Sequence, residues 1–205
     1  MLEKIFSNTK LLISAHCEDE TTIKNNLAKY IAQYGDDIPV ALHPIIRSEE
    51  ACYISSSRAI ELAKKTGARL HVFHLSTEKE THLFDKKKKL ADKKITAEVC
   101  IHHLWFTDED YTSKGTKIKW NPAVKTQKDK DGLWKALLED RIDVVATDHA
   151  PHTLEEKKQA QDWDQYRNQK FSELINEEIE IGDNSTVGLG LEPQEQRIAA
   201  EFPNG

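Results

Sequence analysis

The segment IDVVATDHAPH, residues 142–152, decides how this chain is read. Its first half is apolar and rich in β-branched side chains, the composition of a strand buried on both faces in a parallel sheet. Its second half is polar: Thr147, Asp148, His149 and His152 follow with only Ala150 and Pro151 between them. Pro151 has a fixed φ and no amide hydrogen, so it halts the strand and stiffens the exit. α/β proteins place catalytic and metal-binding groups at the C-terminal ends of such strands.

The same alternation recurs upstream. Residues 10–16 (KLLISAH) predict a short strand ending in His16, and residues 21–34 carry apolar side chains at helical spacing up to a stop at Gly35. A loop over 39–47 leads to Ser48, which caps a second helix running to Thr66 and Gly67. Residues 69–74 (RLHVFH) predict a strand ending in His74, residues 77–90 a helix closed by the lysine run 86–89, and residues 95–103 (ITAEVCIHH) a strand ending in His102 and His103. A polar turn at Trp120, Asn121 and Pro122 precedes a helix over 131–140, which leads back to the opening segment. Four strands alternating with helices are the signature of βαβ units and a parallel sheet.

Composition bounds the function. With 205 residues, 38% hydrophobic and 31% charged, the chain supports one main core. A formal net charge of −6 argues against nucleic acid as a partner, since phosphate binding needs a basic face. No apolar run approaches membrane-spanning or signal-peptide form, so the expectation is a cytoplasmic protein without a membrane partner. Cys17, Cys52 and Cys100 are odd in number and widely spaced, which fits neither a disulfide framework nor a CxxC knuckle, and all three are expected reduced and structural. No GxGxxG or P-loop pattern is present.

What carries chemistry is position. His16, His74, His103 and Asp148 each stand at or just beyond a strand's C-terminal end, and in a parallel sheet those ends share one face. Two neutral imidazoles and a carboxylate suit a divalent metal, which lowers the pKa of bound water towards neutrality so that hydroxide becomes available to attack a carbonyl. Asp148 could serve there as ligand, general base, or both. His43 in a loop, His71 within a strand and His82 on a helix are expected to be ordinary structural histidines. The lysine run is expected to be a solvated helix end, and Trp120 and Trp134 to be packing residues.

Five segments, HCEDE (16–20), HVFHLST (71–77), TAEVCIHHLWFTDEDY (96–111), KWNPAVKT (119–126) and DVVATDHAPHTLEEK (143–157), resemble, in order, the dihydroorotase branch of the amidohydrolase superfamily. The resemblance implies a partial TIM-type (β/α)8 barrel, about strands 5 to 8. It also implies a zinc-dependent hydrolase that interconverts dihydroorotate, a small-molecule substrate, and N-carbamoyl-aspartate in pyrimidine biosynthesis. By motif, His16 and His74 would ligate zinc, and Asp148 would be both ligand and proton relay. Asn121 would hydrogen-bond the pyrimidine ring, His152 would contact the substrate carboxylate, and His102 and His103 would support the site.

The departures shape further expectations. The family's first-strand HxH pair, its carboxylate-clamping arginine and its fourth-strand bridging ligand have no counterpart here. At most one zinc is therefore expected where the complete family site holds two, together with weak turnover by the isolated chain. The domain expectation is 1–157 as a partial barrel and 158–205 as a divergent polar tail. A partial barrel calls for a complementing subunit or further copies of itself. Alternatives are allantoinase or dihydropyrimidinase activity, a catalytically silent assembly partner, or an incomplete reading of a longer gene with an altered frame after Lys157.

Overall fold

Residues 2–86, 89–151 and 153–155 are described by the computed structural model. The chain divides into two compact units, 1–151 and 152–205. All elements that follow belong to the first, and the polar tail expected over 158–205 lies outside the described residues.

Four strands, β1 (Leu12–Ala15), β2 (Arg69–Val72), β3 (Ile95–Cys100) and β4 (Val144–Ala146), form one sheet in the order β1-β2-β3-β4. Every pairing is parallel: Ala15 lies opposite Val72, Val72 opposite Ala97, and Cys100 opposite Ala146. The fold is thus the α/β sheet expected, an open run of parallel strands like part of a TIM-type barrel.

Side chains alternate across the sheet as the pleat requires. Leu70, Val72, Ala97 and Val99 are fully buried and build the core with Ile60, Ala63, Leu133 and Ala136 from the helices. The opposite face is polar. There His71 pairs through Nε2 with Glu98 Oε2 at 3.1 Å and through Nδ1 with Thr96 Oγ1 at 2.8 Å. His71 is structural, as expected. β4 departs from expectation, since Val144 and Val145 are 40% and 49% exposed rather than buried on both faces. β4 pairs with β3 alone among the described residues, so nothing there covers its other edge.

Local sequence signals account for the helices. α1 (Leu2–Asn8) precedes β1. α2 (Glu20–Tyr34) starts where Asp19 accepts the Thr22 amide at 3.0 Å, and α4 (Glu49–Thr66) starts at Ser48 and ends at Gly67, whose φ of 75° is cheap only for glycine. The loop expected over 39–47 contains a 3₁₀ turn (Val40–Leu42) and a one-turn helix, α3 (His43–Ile46). α6 (Tyr111–Lys114) is a single turn. α7 (Gln127–Leu138) begins four residues before the expected 131, because Thr126 and Asp129 form a reciprocal capping box.

The long helix expected over 77–90 is a single turn, α5 (Glu78–Thr81). Glu80 is pinned inside by the hydroxyls of Ser56 at 2.5 Å and Thr77 at 2.9 Å. Beyond His82 the chain leaves the helical path and buries Phe84 in the core, so Lys86 and Lys89 end no helix. Among the described residues no helix is long and apolar enough to cross a membrane.

α5 crosses α7 at Gly132. A Cβ there would lie 2.4 Å from the Glu78 Cβ and 3.2 Å from its Cα. Gly132→Ala is expected to destabilise the fold by about 1–3 kcal/mol through this overlap, although alanine is the better helix former. Urea unfolding of the two proteins checks this, and an unchanged or raised midpoint would contradict the packing described.

Candidate metal and active site

The parallel ladder ends β1 and β2 level with each other, so the residues that follow them meet. His16 Nδ1 and His74 Nε2 lie 3.1 Å apart, with their rings edge to face. His74 has left-handed backbone at φ 35°, as does Asp148 at φ 45°, a conformation that costs a non-glycine residue about 1–3 kcal/mol and persists only where its surroundings impose it. At His74 the imposing groups are on β3: the His74 amide points at Glu98 Oε1 at 3.4 Å, and the next amide, of Leu75, donates to the Glu98 carbonyl at 2.9 Å.

His16 is oriented by a buried carboxylate. Its Nε2 donates to Glu18 Oε2 at 3.0 Å, and Arg47 forms an ion pair with the same oxygen. Burial alone would raise the Glu18 carboxyl, but the Arg47 guanidinium and the His16 hydrogen bond outweigh it and hold it well below the usual carboxylate range. A carboxylate taking one ring N–H leaves the other nitrogen with its lone pair outward, the arrangement in which histidines bind metals. Neither Glu18 nor Arg47 was singled out from sequence as a site residue. The signal was the acidic turn directly after the strand-end histidine.

The pair fits a metal. Two nitrogens on one tetrahedral zinc are about 3.3 Å apart, given bonds near 2.0 Å, close to the observed spacing. Burial drops the His74 imidazole to about 3, so it is neutral at physiological pH. His74 Nδ1 is buried and has no hydrogen-bond partner, so it can carry the ring proton and free Nε2 as a ligand.

The remaining candidates fall into two places. Asp148 is exposed just beyond β4 and is electrostatically felt by Cys100, but it is not gathered with His16 and His74 into a convergent group of three. Asn121 is half-buried in the turn at Trp120–Pro122, which two histidines brace: His43 Nε2 donates to the Trp120 carbonyl at 2.7 Å and His103 Nε2 to the Pro122 carbonyl at 3.0 Å. His43 is therefore buried rather than a loop residue, and bears on the candidate site through this turn. His102 stacks on Trp120 with centroids 4.3 Å apart. His152 lies outside the described residues. Cys100, His102 and His103 form a convergent cluster in which one donor atom from each lies within 4.8 Å of the others.

No family model matches the chain. Sequence relatives do. It is 39% identical over 150 residues to a dihydroorotase of Anoxybacillus flavithermus, covering 72% of this chain and 33% of that protein. To a dihydroorotase of Carboxydothermus hydrogenoformans it is 50% identical over 104 residues, 51% of this chain and 24% of the relative. Among solved structures, dihydropyrimidinase from Brevibacillus agri superimposes with a TM-score of 0.70 at 23% identity, over 79% of this chain and 36% of that one. L-hydantoinase (dihydropyrimidinase) from Arthrobacter aurescens gives 0.69 at 26% identity, over 80% and 36%.

The relatives are metal-dependent cyclic amidohydrolases, and the solved structures share the fold of this chain. Within that class the lineage of the chain is dihydroorotase-like. The chain spans about a quarter to a third of the length of the curated relatives it matches.

Burial also drops the His43 imidazole to about 3, against an ordinary value of 6.5. In the unfolded chain His43 and His74 take up protons near 6.5, whereas in the fold they resist until about 3. The unfolded state therefore binds more protons over this interval, and stability falls as pH drops through it. Thermal unfolding between pH 7 and pH 4 is expected to show a falling midpoint, with a shallower slope for His43→Gln. A midpoint that rises on acidification would contradict the neutral burial of both rings.

Proposed function

We propose that the chain supplies part of a dihydroorotase site, acting on dihydroorotate and N-carbamoyl-aspartate in a cytoplasmic pyrimidine pathway. The observation that carries this is the His16–His74 pair at adjacent strand ends, with nitrogens 3.1 Å apart and a carboxylate behind one ring. The sequence relatives named dihydroorotase favour this substrate over those of allantoinase or dihydropyrimidinase.

His16 Nδ1 and His74 Nε2 would hold one zinc, and Asp148, which follows β4 and is not gathered with the pair, would have to move towards the ion to become a further ligand. A zinc held there would supply an acidified water and a polarised amide carbonyl. Glu18 and Arg47 keep His16 in the tautomer that presents Nδ1. Asp148 takes the proton from the attacking water and passes it to the ring nitrogen as the C–O bond forms and the C–N bond breaks. Asn121, held by the braced turn, hydrogen-bonds the ring, and His152 contacts the substrate carboxylate. His102 and His103 act through that turn. A complementing subunit or another copy of the chain would complete the site.

Zinc titration in a Cys100→Ser background, which removes the thiol of the neighbouring cluster, tests the ligand assignment. His74→Ala is expected to abolish binding, and Glu18→Gln to weaken it about 10- to 100-fold through loss of His16 orientation. The zinc-loaded chain is expected to gain thermal stability with dihydroorotate but not with allantoin or dihydrouracil, with slow turnover of dihydroorotate alone. Unchanged zinc affinity in His74→Ala, or preferential stabilisation by allantoin or dihydrouracil, would overturn the proposal.

A further inference from the structure

The last strand residue of β3 begins a tight turn. The Cys100 carbonyl accepts from the amides of His103 at 3.0 Å and Leu104 at 3.4 Å, so the chain doubles back at once. This folds Cys100, His102 and His103 onto one another, and their donor atoms come within 4.8 Å. The motif C-x-H-H thereby becomes a cluster of one sulfur and two nitrogens.

One residue of the cluster has a nitrogen whose state calls for a ligand. His103 Nε2 faces the Pro122 carbonyl at 3.0 Å, and a carbonyl can only accept, so the ring proton sits on Nε2. Nδ1 then carries a bare lone pair. It is buried with no partner, in a residue only 3% exposed. A histidine donating one nitrogen to a carbonyl and offering the other is the arrangement of a metal ligand supported from behind.

We propose that Cys100, His102 and His103 form a second metal site, distinct from the His16–His74 pair, for a thiophilic cation of the zinc or cobalt class. Sulfur with two imidazoles selects such cations over magnesium or calcium, which prefer oxygen. Three protein donors leave a tetrahedral cation one open position. Donors on one such ion lie about 3.3–3.8 Å apart, so donors within 4.8 Å of one another close by at most about 1.5 Å on binding, through half-buried His102. The Cys100 thiol gives up its proton to solvent as the sulfur–metal bond forms. Asp148 and Glu98, the negative charges felt by Cys100, favour a cation at this place. The site does not depend on the hydrolase reading.

Cobalt(II) titration of the full chain reads it directly, because a thiolate ligand gives a near-ultraviolet charge-transfer absorption that histidine and carboxylate ligands do not. The band is expected in the wild type and in His16→Ala/His74→Ala, and its complete loss in Cys100→Ser. His102→Ala, which alters only a half-buried side chain, is expected to weaken cobalt binding by about tenfold or more. The proposal is overturned if the wild type shows no band, or if the band survives in Cys100→Ser, which would assign it to Cys17 or Cys52. It is equally overturned if the band disappears in His16→Ala/His74→Ala, which would make the thiol part of the first pair, or if His102→Ala binds cobalt unchanged.

Discussion

Parallel, in-register pairing of the four strands is the constraint on which the rest of the structure depends. Because Ala15 sits opposite Val72 and Cys100 opposite Ala146, the strands end nearly level and their following residues share one rim. A slip of one residue would turn each side chain to the other face of the sheet. It would place Leu70 and Val72 among the polar groups and His71 in the core. The apolar face packed on α4 and α7 therefore secures the position of the histidines indirectly, by making every other register costly.

On that rim, burial does most of the chemical tuning. His43, His74 and His103 are all held neutral chiefly by desolvation, and neutral imidazole is the form that binds metal. The two candidate centres are built alike: one ring nitrogen gives its proton to Glu18 at His16 and to the Pro122 carbonyl at His103, and the other carries the lone pair, at His16 facing His74 Nε2 at 3.1 Å. They differ in softness. The His16–His74 pair is purely nitrogen, whereas the β3 turn adds sulfur. Where Glu18 lies between His16 and Arg47, the ion pair offsets the cost of burying a carboxylate and makes the first ring's tautomer a property of the scaffold.

Some elements were legible because their signals are local. Ser48 and Gly67 delimit α4 as expected, and the strand-end histidines after β1 and β2 stand where the apolar runs stop. The failures came from tertiary demands. The helical spacing over 77–90 is real, yet Phe84 is needed in the core and Glu80 is held by Ser56 from another helix, so the helix ends after one turn. α7 starts before its apolar spacing does because the Thr126–Asp129 capping box lies in a charged stretch ahead of it. Val144 and Val145 read as doubly buried, but burial depends on neighbours that a strand's own composition does not specify.

The sequence by itself determined the alternation of strands and helices, the polar groups at the strand ends and the resemblance to dihydroorotases, since each is written in local patterns of residue type. Only the tertiary structure decided which of those groups meet. It brought His16 to His74, placed Glu18 and Arg47 behind them, set His43 and His103 against the turn that carries Asn121, and folded Cys100 onto His102 and His103. The reason is distance along the chain: His16 and His74 are 58 residues apart, and only the register of the sheet and the packing of its helices convert that separation into contact.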